Sequence, residues 1–291
     1  MYVVLGSRGS RFGSAVADAL HAAKVAATRV HVLDLDAPFD GETLSVGPDF
    51  VSWRGLELTA ASAILLERPL FAWPQPIGGE ARRELAALRL SAVHALAERV
   101  PVLNPPHAAE LALAPVLALD ALAARGLAVQ PWRFGPRVGA GAWRDAGAWR
   151  DALGRVADYE PRTPELGEPA WTPEPFDGAL TTAFVAGDTL AACAEHRDLA
   201  AWSAGAAASG AIAPDRLSDE LASLARRATA ELGLAIAAVT LRIDGATARV
   251  VDVDAAPDLA AWDHARAGAI ARAAADLLVH AAAQAERSRT P

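Results

Sequence analysis

Residues 235–257, AIAAVTLRIDGATARVVDVDAAP, limit the possible folds of this chain more than any other stretch. They read as two strands of alternating or near-continuous apolar residues joined at Asp244-Gly245, and Asp-Gly accepts the positive φ angles of a tight two-residue turn. Leu217, Leu221, Leu224, Ala228 and Leu232 recur at helical spacing just before, with Ser218 or Asp215 as N-cap and Gly233 past the end. The second strand closes on Asp252-Val253-Asp254, so period-two alternation turns both carboxylates to one face and Val253 to the other. Two acids side by side repel unless something positive lies between them. A magnesium ion held by hard oxygen ligands meets that need, and so do arginines beside a solvated strand end.

Upstream, residues 1–104 alternate strand and helix: strand 2–5, a glycine-bearing turn, helix 14–26 and strand 30–35. Gly6, Gly9 and Gly13 near a helix N-terminus, with Asp34 or Asp36 after the second strand, raise an NAD(P)-binding oxidoreductase reading. The spacing G-x-x-G-x-x-x-G misses the dinucleotide fingerprint, and such glycines also serve simply to make the turn. A strand at 63–67 runs into Arg68-Pro69, a helix covers 80–98, and a strand at 100–103 ends in Asn104-Pro105-Pro106. A helix over 111–126 ends at Gly126. Residues 135–176 shift to Gly, Pro and Trp, with five prolines between 161 and 175 that read as an exposed linker. There the run Ala-Trp-Arg-Asp at 142–145 recurs at 148–151. A hairpin around Gly187-Asp188 joins strands 180–185 and 189–194, and a final helix runs from 259 to about 285.

The helix, hairpin, Asp-x-Asp, Pro and helix, together with the Arg68-Pro69 and Asn104-Pro105 strand ends, resemble the ATP-grasp superfamily, in particular RimK-like and graspetide-type carboxylate–amine ligases. The resemblance implies an α/β (α+β) fold in four parts. These are a Rossmann-like α/β domain over 1–104, a linking helix segment over 105–135, a shortened Gly/Pro/Trp-rich subdomain or linker over 136–178, and an ATP-grasp-like domain with antiparallel sheet and helices over 179–291. It also implies ATP and magnesium as cofactors, with Asp252 and Asp254 as metal ligands, and Arg68, Asn104 and Trp202 as contacts to substrate or partner. Arg68 also suits an ion pair and Asn104 a turn.

The chain departs from the family pattern at its charged positions. Thr240 stands where the first strand of the pair carries an acid, and Thr181 and Thr182 stand where an arginine is expected. Ala114 or Pro115 takes the place of one phosphate-binding lysine and Gly135 that of the other; Lys24 is the only lysine among 27 basic residues. Phosphoryl transfer depends on positioned cations. The leading expectation is therefore a degenerate RimK-like protein, a non-catalytic binding or scaffolding module working with a peptide or protein partner. The alternative is an active ATP- and magnesium-dependent ligase in which Arg133, Arg137 or Arg144 binds phosphate.

Composition narrows the partners. A net charge of −8 argues against broad nucleic-acid binding. The longest uncharged run, 199–214, is Ala/Ser-rich and broken by glycines, so no membrane span is expected. One cysteine, Cys193, and no signal-peptide pattern fit a cytoplasmic protein, and a homo-oligomer is compatible with the sequence. Seven scattered histidines offer no zinc spacing, and Cys193, inside an apolar strand, reads as a small buried hydrophobe. Trp143, Trp149 and Trp171 in the loop-rich section are candidates for a partner-contact surface.

Overall fold

The computed structural model describes residues 1–6, 11–23, 29–34, 44–67, 80–113, 115–136, 144–145, 169–174, 176, 179–197, 210–212, 216–244, 247–255, 259 and 262–289. Arg68, Arg137, Trp202, Lys24, Gly9, Asp36, Trp143, Trp149 and the second Ala-Trp-Arg-Asp run lie outside the described residues.

The N-terminal part is a parallel sheet of β1 (Tyr2–Gly6), β2 (Val30–Asp34), β6 (Ala63–Leu66) and β7 (Val102–Leu103), in the order β2-β1-β6-β7. Val3, Val4, Leu5, Ile64, Leu65 and Leu66 are all buried, as expected of strands covered on both faces. The helices α1 (Arg11–Ala22) and α2 (Glu80–Ala97) connect these strands. A small antiparallel sheet that the sequence reading had not anticipated, β3 (Leu44–Val46), β4 (Val51–Trp53) and β5 (Leu56–Glu57), lies between β2 and β6. Its β4–β5 turn puts Arg54 and Gly55 at φ 52 and 74, and Trp53 beside it is buried.

The helix expected over 111–126 is instead two helices, α3 (Pro106–Leu113) and α4 (Pro115–Ala124). Proline is at home in a first helical turn and disruptive inside one, so Pro106 and Pro115 each open a helix. Gly126, at φ 78, ends the second as expected. The linker reading of 161–175 needs correction at 169–173, while 161–168 and 175 lie outside the described residues. β10 (Pro169–Pro173) is the middle strand of an antiparallel sheet between β8 (Trp132–Pro136) and β9 (Arg144–Asp145). Its prolines sit at the strand ends, where a missing donor costs least.

The C-terminal sheet has the order β13-β12-β11-β14-β15 and is antiparallel throughout. Its strands are β11 (Leu180–Ala186), β12 (Thr189–His196), β13 (Gly210–Ile212), β14 (Ile236–Asp244) and β15 (Thr247–Asp254). Asp244 pairs with Thr247, which places the connection at 245–246. The helix before this hairpin is α5 (Asp219–Glu231), capped by Ser218, whose hydroxyl accepts the Leu221 N–H at 3.4 Å. The long α6 (His264–Arg289) follows it.

The two sheet faces bury different cores. Ala183, Val185, Cys193, Ala237, Val239, Leu241, Val250 and Val253 pack beneath α3, α4 and α5. Phe184, Ala186, Ala192, Ile236 and Ala238 pack on the other side with α6 and with Phe12, Val16 and Leu20 of α1. The Phe12 and Phe184 rings meet edge to face at 6.2 Å. This second core runs without a break from the N-terminal strands to the last helix. Among the described residues, no single helix is long and apolar enough to cross a membrane.

Candidate functional site

Cross-strand partners share a face, so the register of the C-terminal sheet shows which side chains lie together. On the face that carries α6 at one end, Phe184 and Ala238 stand opposite each other, with Asp254 opposite Ala238. In the next row Ala194, Thr182, Thr240 and Asp252 are directly paired in sequence across four strands. Beyond it come His196, Leu180, Arg242 and Arg249. Apolar residues beneath α6 thus give way within two rows to a band of hydroxyl, carboxylate and guanidinium groups.

The middle of that band is hydrogen-bonded. Thr182 Oγ1 lies 3.1 Å from Thr240 Oγ1 and 3.2 Å from His196 Nε2. Burial lowers the pKa of His196, so the ring stays neutral here, and its Nδ1 has no hydrogen-bond partner. Asp252, opposite Thr240, is 3% exposed. Arg242 lies over the ring of Phe176 at 4.2 Å, and Arg249 Nη1 donates to the Val129 carbonyl at 3.2 Å.

The small three-stranded sheet of β8, β10 and β9 joins this face along the outer edge of β15. Gln130 N donates to Val250 O at 2.7 Å and Val250 N to Ala128 O at 2.9 Å, a short parallel ladder. Gln130 Nε2 donates to Glu174 O at 2.8 Å; the side chain is 2% exposed, and its Oε1 has no hydrogen-bond partner. Arg133 is 74% exposed at the side chain and ion-paired through Nε to Glu174 Oε1 at 2.7 Å.

Asn104 lies elsewhere and is wholly committed to the fold. Its Nδ2 donates to Ile236 O at 2.8 Å and Ala255 O at 3.0 Å, and its Oδ1 accepts from Ala235 N at 3.0 Å and Ile236 N at 2.9 Å. That uses the full bonding capacity of the amide and leaves it nothing for a ligand. Glu67 stands against the described glycines on either side of 7–10. A Cβ at Gly6 would overlap the Glu67 carboxylate, and one at Gly13 would lie 2.6 Å from Glu67 Oε2. A buried acid thus lies against both Gly6 and Gly13, two of the three glycines of the dinucleotide reading. Cys193 is buried, its thiol pushed up to about 11 chiefly by burial, as an inert core residue should be.

The structure therefore brings Asp252 and Asp254 together on one face and places Arg133 on β8, paired with Glu174. Thr182, His196, Arg242 and Arg249 join the aspartates, and the sequence reading had not grouped them there. Their common face follows from strand register, which no single strand encodes.

No protein-family profile and no curated protein matches the chain. Solved structures do. The ATP-grasp ligase PsnB, complexed with minimal precursor, Mg and ADP, is similar at 19% identity over 97% of this chain and 97% of that one, with a TM-score of 0.64. The macrocyclase MdnC from Microcystis aeruginosa, bound with precursor peptide MdnA, is similar at 14% identity over 96% and 99%, with a TM-score of 0.65. A RimK domain ATP-grasp protein from Sphaerobacter thermophilus is similar at 19% identity over 96% and 99%, with a TM-score of 0.54. Along nearly its whole length, this chain has the ATP-grasp fold of RimK-like and RiPP-associated peptide ligases.

Proposed function

We propose that this chain is a RimK-like ATP-grasp protein that has lost phosphoryl-transfer chemistry and acts as a binding module for a peptide or protein partner. The observation that carries this reading is the Thr182–Thr240 pair. At the centre of the polar face, where the resembling ligases need an arginine and an acid, two hydroxyls bond each other and a neutral His196. Catalysis of phosphoryl transfer is chiefly charge neutralisation, and losing one such contact commonly costs about two to three orders of magnitude in rate. The peptide half of the proposal draws on the precursor peptides in the PsnB and MdnC complexes.

Asp252 and Asp254 are the residues that would hold magnesium. Two carboxylates suit an ion that takes its remaining ligands from water and from a nucleotide's phosphates, which neutralise part of its charge there. Among the described residues no group of three His, Cys, Asp or Glu could hold a metal unaided. The fit is to an ion delivered with a ligand.

One observation favours the second reading, an active ligase that uses arginines. Arg242 and Arg249 are direct cross-strand partners, one row from Asp252 on the same face. Guanidinium forks bind phosphate well. Calorimetric titration with ATP and magnesium separates the two readings. The binding-module reading expects no heat of binding up to millimolar nucleotide, which would defeat the ligase reading; micromolar binding that vanishes in Asp254→Ala would defeat the binding-module reading.

A further inference from the structure

β15 changes phase part-way along its length. Ala248 and Val250, two apart, face the core beneath α5, and Val253 and Ala255, also two apart, face the same core, yet three positions separate Val250 from Val253. The pairing shows why. Leu241 is opposite Val250 and Thr240 is opposite Asp252, so Val251 is an extra residue, a β-bulge. Without it, alternation would carry positions 252 and 254 in phase with 248 and 250, into the apolar core, and would turn Val253 onto the polar face. The bulge thus decides which face receives the two carboxylates.

A bulge leaves its extra residue outside the regular ladder. Here the Val251 carbonyl accepts the indole N–H of Trp132, Nε1 to O at 3.2 Å. Trp132 opens β8 of the small sheet, and its ring packs on the same core as Val250 and Val253. The chain just before it is the segment whose Ala128 and Gln130 pair with Val250.

We propose that Trp132 is a positioning residue: its indole N–H holds the bulge at Val251 and so presents Asp252 and Asp254 to the polar face. Docking of the small sheet and orientation of the carboxylates are then one event. The proposal goes beyond the reading of function above and holds whether or not a nucleotide binds.

Thiol accessibility tests it. In a Cys193→Ala background, Val250→Cys reports a core position whose phase does not depend on the bulge, and Val253→Cys one whose phase does. Both thiols are expected to resist a disulfide reagent. Adding Trp132→Phe, which keeps a ring and removes the N–H, is expected to speed modification at position 253 by at least about tenfold while position 250 stays protected, because only the local register opens. Trp132→His, which keeps a ring N–H, is expected to restore protection at 253. Unchanged protection at 253 in Trp132→Phe would overturn the proposal. So would equal reactivity at both positions, which marks general loosening, or a Trp132→His variant as reactive as Trp132→Phe.

Discussion

Thr240 stands directly opposite Asp252 in the β14–β15 pair, with its hydroxyl 3.1 Å from that of Thr182, so a neutral side chain faces a carboxylate that is 3% exposed. The resemblance to ATP-grasp ligases implies an acid at the Thr240 position. Thr240→Asp would set a second carboxylate against Asp252 and remove the Thr182 bond. Like charges directly opposite on a sheet destabilise it, here by about 1 kcal/mol or more because the site is buried. A divalent cation would relieve that repulsion. The variant is expected to melt below the parent in chelator and to recover part of the loss in millimolar magnesium, whereas the parent shifts little. Differential scanning fluorimetry with and without magnesium checks this, and an identical magnesium response in the two proteins would contradict it.

Asn104 links the end of β7 to the start of β14 and to Ala255 past β15 through four hydrogen bonds, from a position 1% exposed at φ 55. Asn104→Ala would leave buried backbone donors and acceptors unmet in two places and put alanine at φ 55, in the left-handed region that asparagine tolerates better. A loss of about 3–5 kcal/mol in urea denaturation is expected, since each stranded buried group costs about 1–3 kcal/mol. Asn104→Gly relieves only the backbone part, so it should recover well under half of the loss.

Glu110, on α3, has its pKa raised to about 7 by burial; its Oε1 accepts no hydrogen bond and lies 3.8 Å from His94 Nε2. A carboxyl whose folded pKa exceeds its unfolded value near 4.5 contributes stability that is complete below that value and lost as pH rises through about 7. The parent is therefore expected to lose stability between pH 5 and 8, and Glu110→Gln to flatten that part of the profile. The difference in melting temperature across the window should reach about 2–4 °C, the shift given by roughly 1 kcal/mol in a chain of this size. A parallel pair of profiles would exclude Glu110 as the source.

Gly6 and Glu67 are coupled by contact, because a methyl group at position 6 overlaps the buried Glu67 carboxylate. Gly6→Ala alone is expected to cost about 1–3 kcal/mol, the usual range for overpacking. In a Glu67→Ala background the same substitution should cost much less. A double-mutant cycle with a coupling of about 1 kcal/mol or more supports the contact, and additivity within about 0.3 kcal/mol would refute it.

Local chemistry made the hairpins, helices and alternating N-terminal part legible without coordinates. Asp244-Gly245 and Gly187-Asp188 mark turns, Gly126 and Gly233 stop helices, and leucines repeat every three to four residues before the Asp-x-Asp strand. Each signal acts over a few neighbouring positions, so the sequence carries it whole. Where a local signal was present but misread, the cause was also local: Pro115 splits a helix, and strand-end prolines allow 169–173 to pair. The rest was decided by contacts between distant positions. That Asn104 is saturated depends on backbone 131 residues away, and that Glu67 lies against Gly6 and Gly13 depends on which strand lies beside β1. The face shared by Thr182, His196, Thr240, Arg242 and Asp252 depends on strand register, and register near Asp252 turns on one bulged residue held by Trp132, 119 positions earlier. A sequence states which side chains alternate; only the folded ladder states with what phase.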